Sequence, residues 1–278
     1  MRILGHGYPD IDLTGARVLV TGAGRGIGQS TAELFASKGS QVVIADVDAV
    51  AAETAAAAIG ATSYELDVRS RGQWDKVIAE LGHVDILVNN AGVMPAGPFL
   101  DEPDVVGQAT MDINVWGLIN GMRAVAPGMI ERGRGHIVNV ASLAGKIPVP
   151  GLAVYNASKF AAVGLSAATR LEFAPQGISV SCVMPSAVRT RLSSGLTLGH
   201  GMPTVEPEDV AAAILRTCTT RKGEVAVPNY LGPIDLALAA APERAVRLVR
   251  KLFDGDRALH PADEKTRAEY EEQVRSIS

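Results

Sequence analysis

The chain has 278 residues, of which 47% are hydrophobic, 20% are charged and only 4% are aromatic. The 26 Lys and Arg residues against 30 Asp and Glu residues give a formal net charge of −4, which excludes the basic surface that nucleic-acid binding requires. The length permits two domains of about 100–200 residues each, although one α/β domain also reaches this size.

Short β-branched segments alternate with longer stretches of helical periodicity from residue 17 to about residue 228. Several segments are apolar almost throughout, as parallel strands are when helices cover both faces of a sheet. The alternation therefore predicts a single α/β domain with a doubly wound parallel sheet. The predicted strands are Arg17–Thr21, Gln41–Ala45, Thr62–Leu66, Val84–Val88, Gly135–Ala141, Ile178–Val183 and Glu224–Val227. The predicted helices are Gly26–Lys38, Asp48–Ile59, Arg71–Leu81, Glu102–Arg132, Leu152–Pro175 and Pro207–Thr220.

The last part of the chain has a different pattern. Two amphipathic helical stretches, Ile234–Phe253 and Ala262–Ile277, are rich in Arg, Glu and Lys. We therefore divide the chain into a sheet domain at residues 1–231 and a helical C-terminal extension at residues 232–278. Docking of this extension on the sheet domain or on a partner subunit is the favoured interpretation. A helix on an anionic membrane surface and a solvated helical pair are the alternatives.

The cysteine content and the apolar segments bear on location. Two cysteines, Cys182 and Cys218, cannot form a disulfide framework and lack the spacing of a zinc site. The N-terminal residues contain no unbroken apolar stretch of the signal-peptide kind. The most apolar segment, Ile234–Pro242, is far shorter than the ~20 residues that cross a bilayer. The sequence therefore predicts a cytoplasmic protein with no transmembrane segment and no metal site.

A glycine-rich turn follows the first strand. The segment TGAGRGIG (21–28) runs from strand to helix, and its Gly22, Gly26 and Gly28 have the spacing G-x-x-x-G-x-G. Glycines let the backbone approach a pyrophosphate closely, and the N–H groups at a helix start attract negative charge. The turn thus indicates a dinucleotide site, although its spacing is one residue longer than G-x-G-x-x-G. A purely structural turn is the alternative.

An acidic residue at the end of the second strand bears on the choice of dinucleotide. Asp46 lies 18 residues after Gly28 (46 − 28), where a carboxylate can bind ribose hydroxyls and repel a 2′-phosphate. NAD is therefore favoured over NADP. Arg25 argues the other way, because a cation in the glycine turn can pair with that phosphate. Asp48 is expected to cap the next helix, which leaves Asp46 free.

Three side chains suggest proton-transfer chemistry. Tyr155 and Lys159 in YNASK (155–159) are neighbours on one helix face. Free tyrosine has a pKa of about 10, and an adjacent ammonium stabilises the phenolate that a base near neutrality needs. Ser142 ends a strand 13 residues before Tyr155 (155 − 142), where its hydroxyl can hold a substrate oxygen. An ordinary helix face and a capping serine are the alternative interpretations.

Two asparagine positions complete the set. NNAG (89–92) follows a strand and is typical of a loop whose small residues admit a cofactor, or of a plain turn. Asn114 lies within a helical pattern, where it is a site residue, a solvent-facing residue or one that bonds at a kink. Together these motifs resemble the short-chain dehydrogenase/reductase (SDR) family. The resemblance rests on TGAGRGIG (21–28), Asp67-Val68, NNAG (89–92), Asn114, Ser142, YNASK (155–159) and Pro185 to Thr190, in family order.

The resemblance implies a Rossmann-type sheet of order 3-2-1-4-5-6-7 with an NAD(P) cofactor across its C-terminal edge, in a homodimer or homotetramer. It implies that Tyr155 is the general acid/base and that Lys159 lowers its pKa and binds the nicotinamide ribose. Ser142 would orient the substrate oxygen, and Asn114 would hold a water that links Lys159 to solvent. The implied cofactor contacts are Gly22, Arg25, Gly26, Ile27, Gly28, Asp46, Asp67, Val68, Asn90, Ala91, Gly92, Tyr155, Lys159, Pro185, Val188 and Thr190.

The substrate is expected to lie against three segments, Val93–Leu100, Leu143–Val154 and Leu192–Val205, which are mostly apolar. The predicted pocket residues are Met94, Ser142, Leu143, Val149, Tyr155, Ser186, Leu192 and Leu196. Ser186 replaces the family's usual glycine after Pro185. The predicted function is NAD-dependent interconversion of a hydrophobic secondary alcohol and its ketone. A non-catalytic dinucleotide-binding sensor or scaffold is the alternative.

Overall fold

A computed structural model describes residues 7–197, 203–232 and 257–276. Seven parallel strands form one sheet of order β3-β2-β1-β4-β5-β6-β9, which confirms the predicted doubly wound fold. The last sheet position is numbered 9 because two short strands, β7 and β8, pair with each other outside the sheet. The strands are β1 Arg17–Thr21, β2 Gln41–Asp46, β3 Thr62–Glu65, β4 Ile86–Asn89, β5 Gly135–Val140, β6 Ile178–Pro185, β7 Ala187–Val188, β8 Thr204–Val205 and β9 Glu224–Val227.

The helices cover both faces of this sheet. Their bounds are α1 Gly26–Ala36, α2 Ala49–Ile59, α3 Arg71–Leu81, α4 Asp104–Met111, α5 Gly117–Glu131, α6 Ala153–Phe173, α7 Pro207–Thr220 and α8 Glu264–Ser276. Successive residues of β1 face opposite ways, as the period of two in a strand requires. Val18 packs in a core with Phe35 of α1, whereas Leu19 packs in a core with Trp74 of α3. Double coverage explains why the strands are apolar throughout.

The direction of winding reverses beside β1. Strand β1 pairs with β2 on one side and with β4 on the other, so the loops after β1 and β4 leave the same edge of the sheet. In open α/β sheets, ligands bind at this reversal, beyond the carboxyl ends of the strands. The topology thus places the glycine turn and the NNAG loop next to each other.

The predicted helix Glu102–Arg132 is divided into three parts. A π-helical segment, Asp112–Trp116, separates α4 from α5. Asn114 lies in this segment, and its carboxamide bonds to the Val93 backbone in both directions, at 2.9 Å each. Single π-helical turns often mark functional sites, because they redirect one side chain out of the helical ladder. Asn114 was expected to be a site residue, a solvent-facing residue or one that bonds at a kink. The structure shows it forming hydrogen bonds at a helix irregularity.

The described part of the C-terminal extension packs on the sheet domain of the same chain. Helix α8 begins two residues after the start of the predicted stretch Ala262–Ile277, and Asp263 precedes it and accepts a hydrogen bond from the Thr266 backbone at 3.1 Å. Tyr270 and Val274 of α8 enter the core on the α5 side of the sheet. The predicted helix Ile234–Phe253 lies outside the described residues. The boundary at residue 231 stays a prediction.

Two further features concern location. Cys182 and Cys218 are buried and do not form a disulfide. Within residues 7–197, 203–232 and 257–276, no helix combines the length and apolarity needed to cross a membrane.

Candidate active site

A cavity of about 390 Å³ follows the C-terminal edge of the sheet. It extends from Asp46 at the end of β2 to Ser142 after β5, strands that are three spacings apart, or about 14 Å. The predicted site residues that line it are Gly22, Arg25, Gly26, Ile27, Asp46, Asp67, Val68, Asn90, Ala91, Gly92, Met94, Ser142, Leu143, Val149, Tyr155, Lys159, Pro185, Ser186, Val188, Thr190, Leu192 and Leu196. Gly28 and Asn114 do not line it and lie behind its wall.

The glycine turn has a conformation that depends on glycine. Gly22 and Gly26 have φ values of 60° and 57°, in the left-handed region that side chains disfavour. A Cβ on Gly28 would lie 2.3 Å from the Gly22 carbonyl oxygen, so Gly28 is needed for packing within the turn rather than for lining the cavity. Arg25 provides no side-chain cap for α1, which leaves the first-turn N–H groups to an anion.

Asp46 is not free, contrary to the expectation from the sequence. Its Oδ2 accepts the Gly24 N–H at 2.9 Å, and its Oδ1 accepts the Asp48 N–H at 3.0 Å. The carboxylate is thereby held in place in the cavity wall while its remaining lone pairs stay available. Asp48 caps α2 as predicted, accepting the Ala51 N–H at 3.0 Å. Asp48 also forms an ion pair with Arg25, so that Arg25 already has an anionic partner.

The end of the cavity that lies beyond β5 contains three polar side chains, those of Tyr155, Ser142 and Lys159. Burial raises the pKa of Tyr155 to about 12; a hydrogen bond with Ser142 opposes this rise, and the nearby Tyr270 adds to it. Ser142 also accepts the Ala144 N–H at 3.1 Å, so it is a capping serine that also faces the cavity. Lys159 Nζ lies 5.6 Å from the centre of the Tyr155 ring. The three side chains therefore converge as the spacing predicted.

Burial is the largest influence on the pKa of both Tyr155 and Lys159, and the lowering of the Tyr155 pKa by Lys159 stays a prediction. Both side chains are buried, with 6% and 5% of their residue surface exposed. Burial penalises each charged form, and it lowers the pKa of Lys159 to about 8 as well as raising that of Tyr155. Desolvation therefore shifts both groups towards their uncharged forms. At neutral pH, Tyr155 is a protonated phenol beside a mostly protonated Lys159.

The buried Lys159 ammonium has unused hydrogen-bonding capacity. It has three N–H donors, and within the described residues only the Val140 carbonyl accepts from it, at 3.2 Å. A Cβ on Gly92 would lie 3.6 Å from Nζ and 3.1 Å from Asn114 Oδ1, so the NNAG loop approaches both groups closely. An ammonium buried in this way fits a ligand with hydroxyl groups, such as the ribose of a nicotinamide dinucleotide.

Ser186 has a defined structural role at the position where the family usually has glycine. Its hydroxyl donates to the Pro203 carbonyl at 2.7 Å, and its backbone N–H donates to Val227 at 2.8 Å. The hydroxyl bond ties the chain after β6 to the far end of the segment Leu192–Val205, and the backbone bond ties it to β9. The serine that replaces the family's usual glycine therefore fastens that segment.

The sequence analysis did not identify the residues that α8 contributes to the cavity. Tyr270, Gln273 and Val274 line its wall, together with Ala258 from the preceding turn. Arg267 is behind them, with 2% of its surface exposed. The positions 267, 270 and 274 are spaced for one helix face, which is the only signal that the sequence offers. That signal does not say which surface the face covers.

The sequence profile of the short chain dehydrogenase family matches residues 16–199. Rat 17-beta-hydroxysteroid dehydrogenase 13 is 33% identical over 252 residues, covering 86% of this chain and 84% of the relative. A metagenomic short-chain oxidoreductase solved with NADP has a TM-score of 0.68 and 32% identity, covering 78% of this chain and 98% of its own. A 7α-hydroxysteroid dehydrogenase solved with NADH and 7-oxo glycochenodeoxycholic acid has a TM-score of 0.71 and 30% identity, covering 77% and 92%.

The chain belongs to the short-chain dehydrogenase family, as the motif order predicted. Members of this family are oxidoreductases that interconvert alcohols and carbonyl compounds with NAD(P)(H). The similar structures contain NADP in one case and NADH in the other, so the likeness leaves the choice of cofactor to the residues of this chain.

Proposed function

We propose that the protein interconverts a hydrophobic secondary alcohol and its ketone with NAD, using Tyr155 as general acid and base. The observation that carries the proposal is the convergence of Tyr155, Ser142 and Lys159 at one apolar part of the cavity. The apolar wall there includes Met94, Leu143, Val149, Leu192 and Leu196. An apolar lining with a few polar groups at one point is typical of a site that orients an apolar substrate.

In ketone reduction, Tyr155 donates its proton to the carbonyl oxygen, while the Ser142 hydroxyl bonds to the same oxygen and holds it in place. A nicotinamide cofactor held in the cavity would supply the hydride for reduction of the carbonyl carbon and would accept it in the reverse direction. Lys159 binds the ribose hydroxyls with its remaining N–H groups and stabilises charge on Tyr155 during proton transfer. In alcohol oxidation, Tyr155 takes the hydroxyl proton. The raised pKa of Tyr155 suits the donor role at neutral pH.

The proposed choice of NAD rests on Asp46 and Arg25. Asp46 is fixed by two backbone N–H groups where a 2′-phosphate would meet its charge, and Arg25 is paired with Asp48. The Asp46→Ala variant is expected to narrow the preference for NAD over NADP by about tenfold or more, equivalent to about 1.4 kcal/mol. Steady-state kcat/KM with each cofactor measures the change.

The matched control is Asp75→Ala, which removes an equal charge from an exposed position on α3. It should leave the ratio of the two cofactors unchanged. An equal effect in both variants would mean that net charge, and not the position of Asp46, sets the preference.

The activity itself is tested by NAD reduction with a panel of apolar secondary alcohols. Oxidation of several members, with acids and sugars inert, is the expected result. Binding of NAD without oxidation of any member would favour the alternative of a non-catalytic dinucleotide-binding sensor or scaffold.

Two further expectations are also proposals. Association through the long helices α4, α5 and α6 would cover the exposed apolar side chains of Val105, Phe160 and Leu171, and sedimentation of the full chain measures the number of subunits. A cytoplasmic location accords with the buried, unpaired thiols of Cys182 and Cys218. Fractionation of cells that express the chain tests that location.

A further inference from the structure

The C-terminal extension contacts all three predicted substrate segments. Arg267 of α8 donates to the carbonyl of Met94 in the first segment and to that of Leu192 in the third, the latter at 3.2 Å. In the second segment, a Cβ on Gly151 would lie 3.0 Å from the Ala258 backbone, so the two backbones are in close contact. The extension therefore forms part of the substrate pocket of its own chain.

Tyr270 is a buried polar side chain that α8 presents to this pocket, next to the exposed Gln273. It is 8% exposed and lines the cavity together with Tyr155 and Ser142. Its hydroxyl oxygen accepts the Met94 N–H at 2.9 Å. In the part of the chain that the structure describes, its own O–H hydrogen has no acceptor. Buried tyrosine hydroxyls usually find partners, so a donor left over in an apolar wall indicates a ligand acceptor.

The Tyr270 ring is held in position. The Arg267 guanidinium stacks on it at 4.7 Å from the ring centre, and Arg267 is fixed in turn by Glu271 at 2.9 Å and by the two substrate segments. A donor held rigidly in this way discriminates between ligands, because little conformational freedom is lost on binding. It also disfavours a ligand that leaves the donor unpaired.

The reacting oxygen of the substrate does not need Tyr270. A carbonyl oxygen has two lone pairs, and Tyr155 and Ser142 supply two donors to it in the proposed function. Tyr270 belongs to a different element and is bonded to Met94 rather than to either of those groups. Its hydrogen is therefore available to an acceptor elsewhere on the same substrate.

We propose that Tyr270 is a specificity-determining residue that donates a hydrogen bond to a second oxygen of the substrate, away from the reacting carbon. The substrate class is then an apolar alcohol or ketone with two oxygen functions, one reduced or oxidised at Tyr155 and one bound by Tyr270. This inference rests on the proposed function and adds the second recognition point to it.

The test compares matched ketones that differ by one oxygen. Pairs on one-, two- and four-ring carbon skeletons, such as 4-tert-butylcyclohexanone and 4-tert-butoxycyclohexanone, vary the distance between the carbonyl and the second oxygen. The full-length wild type is expected to prefer the member with the second oxygen in at least one pair, by about tenfold in kcat/KM. Tyr270→Phe should bring that ratio close to 1, and the loss should appear as a higher KM for the member with the second oxygen.

The control is Tyr230→Phe, which removes a hydroxyl from a side chain that is 70% exposed and should retain the wild-type ratio. The assignment of Tyr270 would be overturned if the wild type showed no preference in any of the pairs. It would also be overturned if Tyr270→Phe slowed both members of a pair equally. If no ketone is reduced, the proposed function fails, and binding of the pairs to the NADH-loaded enzyme becomes the readout. Discrimination in binding that Tyr270→Phe abolishes would still support Tyr270, whereas its absence would refute both.

Discussion

Replacing Tyr155 with Phe should reduce turnover by about 10²–10⁴-fold, the usual contribution of a positioned general acid. The variant keeps the ring that packs with Leu152 and Ala144 in the pocket wall, so the fold and the cavity shape should survive. The glycine turn, Asp46 and Lys159 are untouched, and NADH binding should therefore remain close to that of the wild type. Initial rates with an apolar ketone, and NADH fluorescence titration, measure the two properties separately.

The pKa values of Tyr155 and Lys159 predict how the rates of ketone reduction and alcohol oxidation change with pH. Burial raises the pKa of Tyr155 to about 12, so the phenol is protonated throughout the neutral range and can serve as the proton donor. Below that pKa, the fraction of phenolate increases about tenfold for each unit of pH, and alcohol oxidation should accelerate towards alkaline pH. Burial lowers the pKa of Lys159 to about 8, so ketone reduction should decline above about pH 8 as the ammonium loses its proton.

The Tyr155→Phe variant should lack the rise of alcohol oxidation towards alkaline pH, because that rise depends on the Tyr155 phenolate. Tyr64→Phe, on the edge strand β3 and outside the cavity lining, is the matched control and should retain wild-type rates. Turnover in Tyr155→Phe comparable to that in Tyr64→Phe would refute the role of Tyr155. Lost NADH binding in Tyr155→Phe would instead mean that the phenol supports the cofactor site.

The hydrophobic pattern of the strands and the order of the motifs predict the parallel sheet and the edge at which its loops come together. Apolar runs such as that of β1 reflect burial on both faces, and the order of the motifs located Gly22, Asn90 and Ser142 at adjoining loops of one edge. The two-residue strands β7 and β8 were missed, because so short a segment carries no periodicity. Helix ends differed by one or two residues, as capping decides them.

Properties that depend on tertiary contacts were less accessible from the sequence. The π-helical segment around Asn114 is stabilised by bonds to Val93, 21 residues away in the chain. The raised pKa of Tyr155 depends on how completely its surroundings exclude water, which residue spacing does not report. Tyr270 reaches Met94 from 176 residues away, so only the folded chain reveals that the extension shares the substrate pocket.

We expect the docking of α8 over the proposed substrate pocket to depend on Arg267. This side chain is 2% exposed and joins α8 to both the Met94 and the Leu192 carbonyls. Arg267→Met keeps most of the apolar volume but leaves the buried Met94 carbonyl, the part-buried Leu192 carbonyl and Glu271 without their donor. Breaking a buried charge pair costs about 3–5 kcal/mol, and the partial exposure of Glu271 places the cost to the docking of α8 at the lower end of that range.

The expected result is local rather than global. Backbone amides of residues 264–276 should exchange hydrogen faster by orders of magnitude, because each 1.4 kcal/mol lost from local stability is about tenfold in opening. Amides of the central strands β1, β4 and β5 should keep their protection, since each of these strands is paired with a neighbour on both sides within the sheet. KM for an apolar ketone should rise, while KM for NADH changes little. Mass-spectrometric hydrogen exchange and steady-state kinetics measure both effects.

Arg275→Met is the control, because Arg275 belongs to the same helix and carries the same charge but is exposed. It should leave exchange and ketone KM as in the wild type. Arg267→Lys separates charge from geometry: an ammonium keeps the charge but lacks the planar guanidinium, which bonds to Glu271 and to two carbonyls while it stacks on Tyr270. If the protection of α8 from hydrogen exchange in Arg267→Lys is intermediate between that of wild type and that of Arg267→Met, the bridging geometry of the guanidinium contributes to the docking of α8. Unchanged exchange in Arg267→Met would mean that α8 is held by the apolar contacts of Tyr270 and Val274 alone.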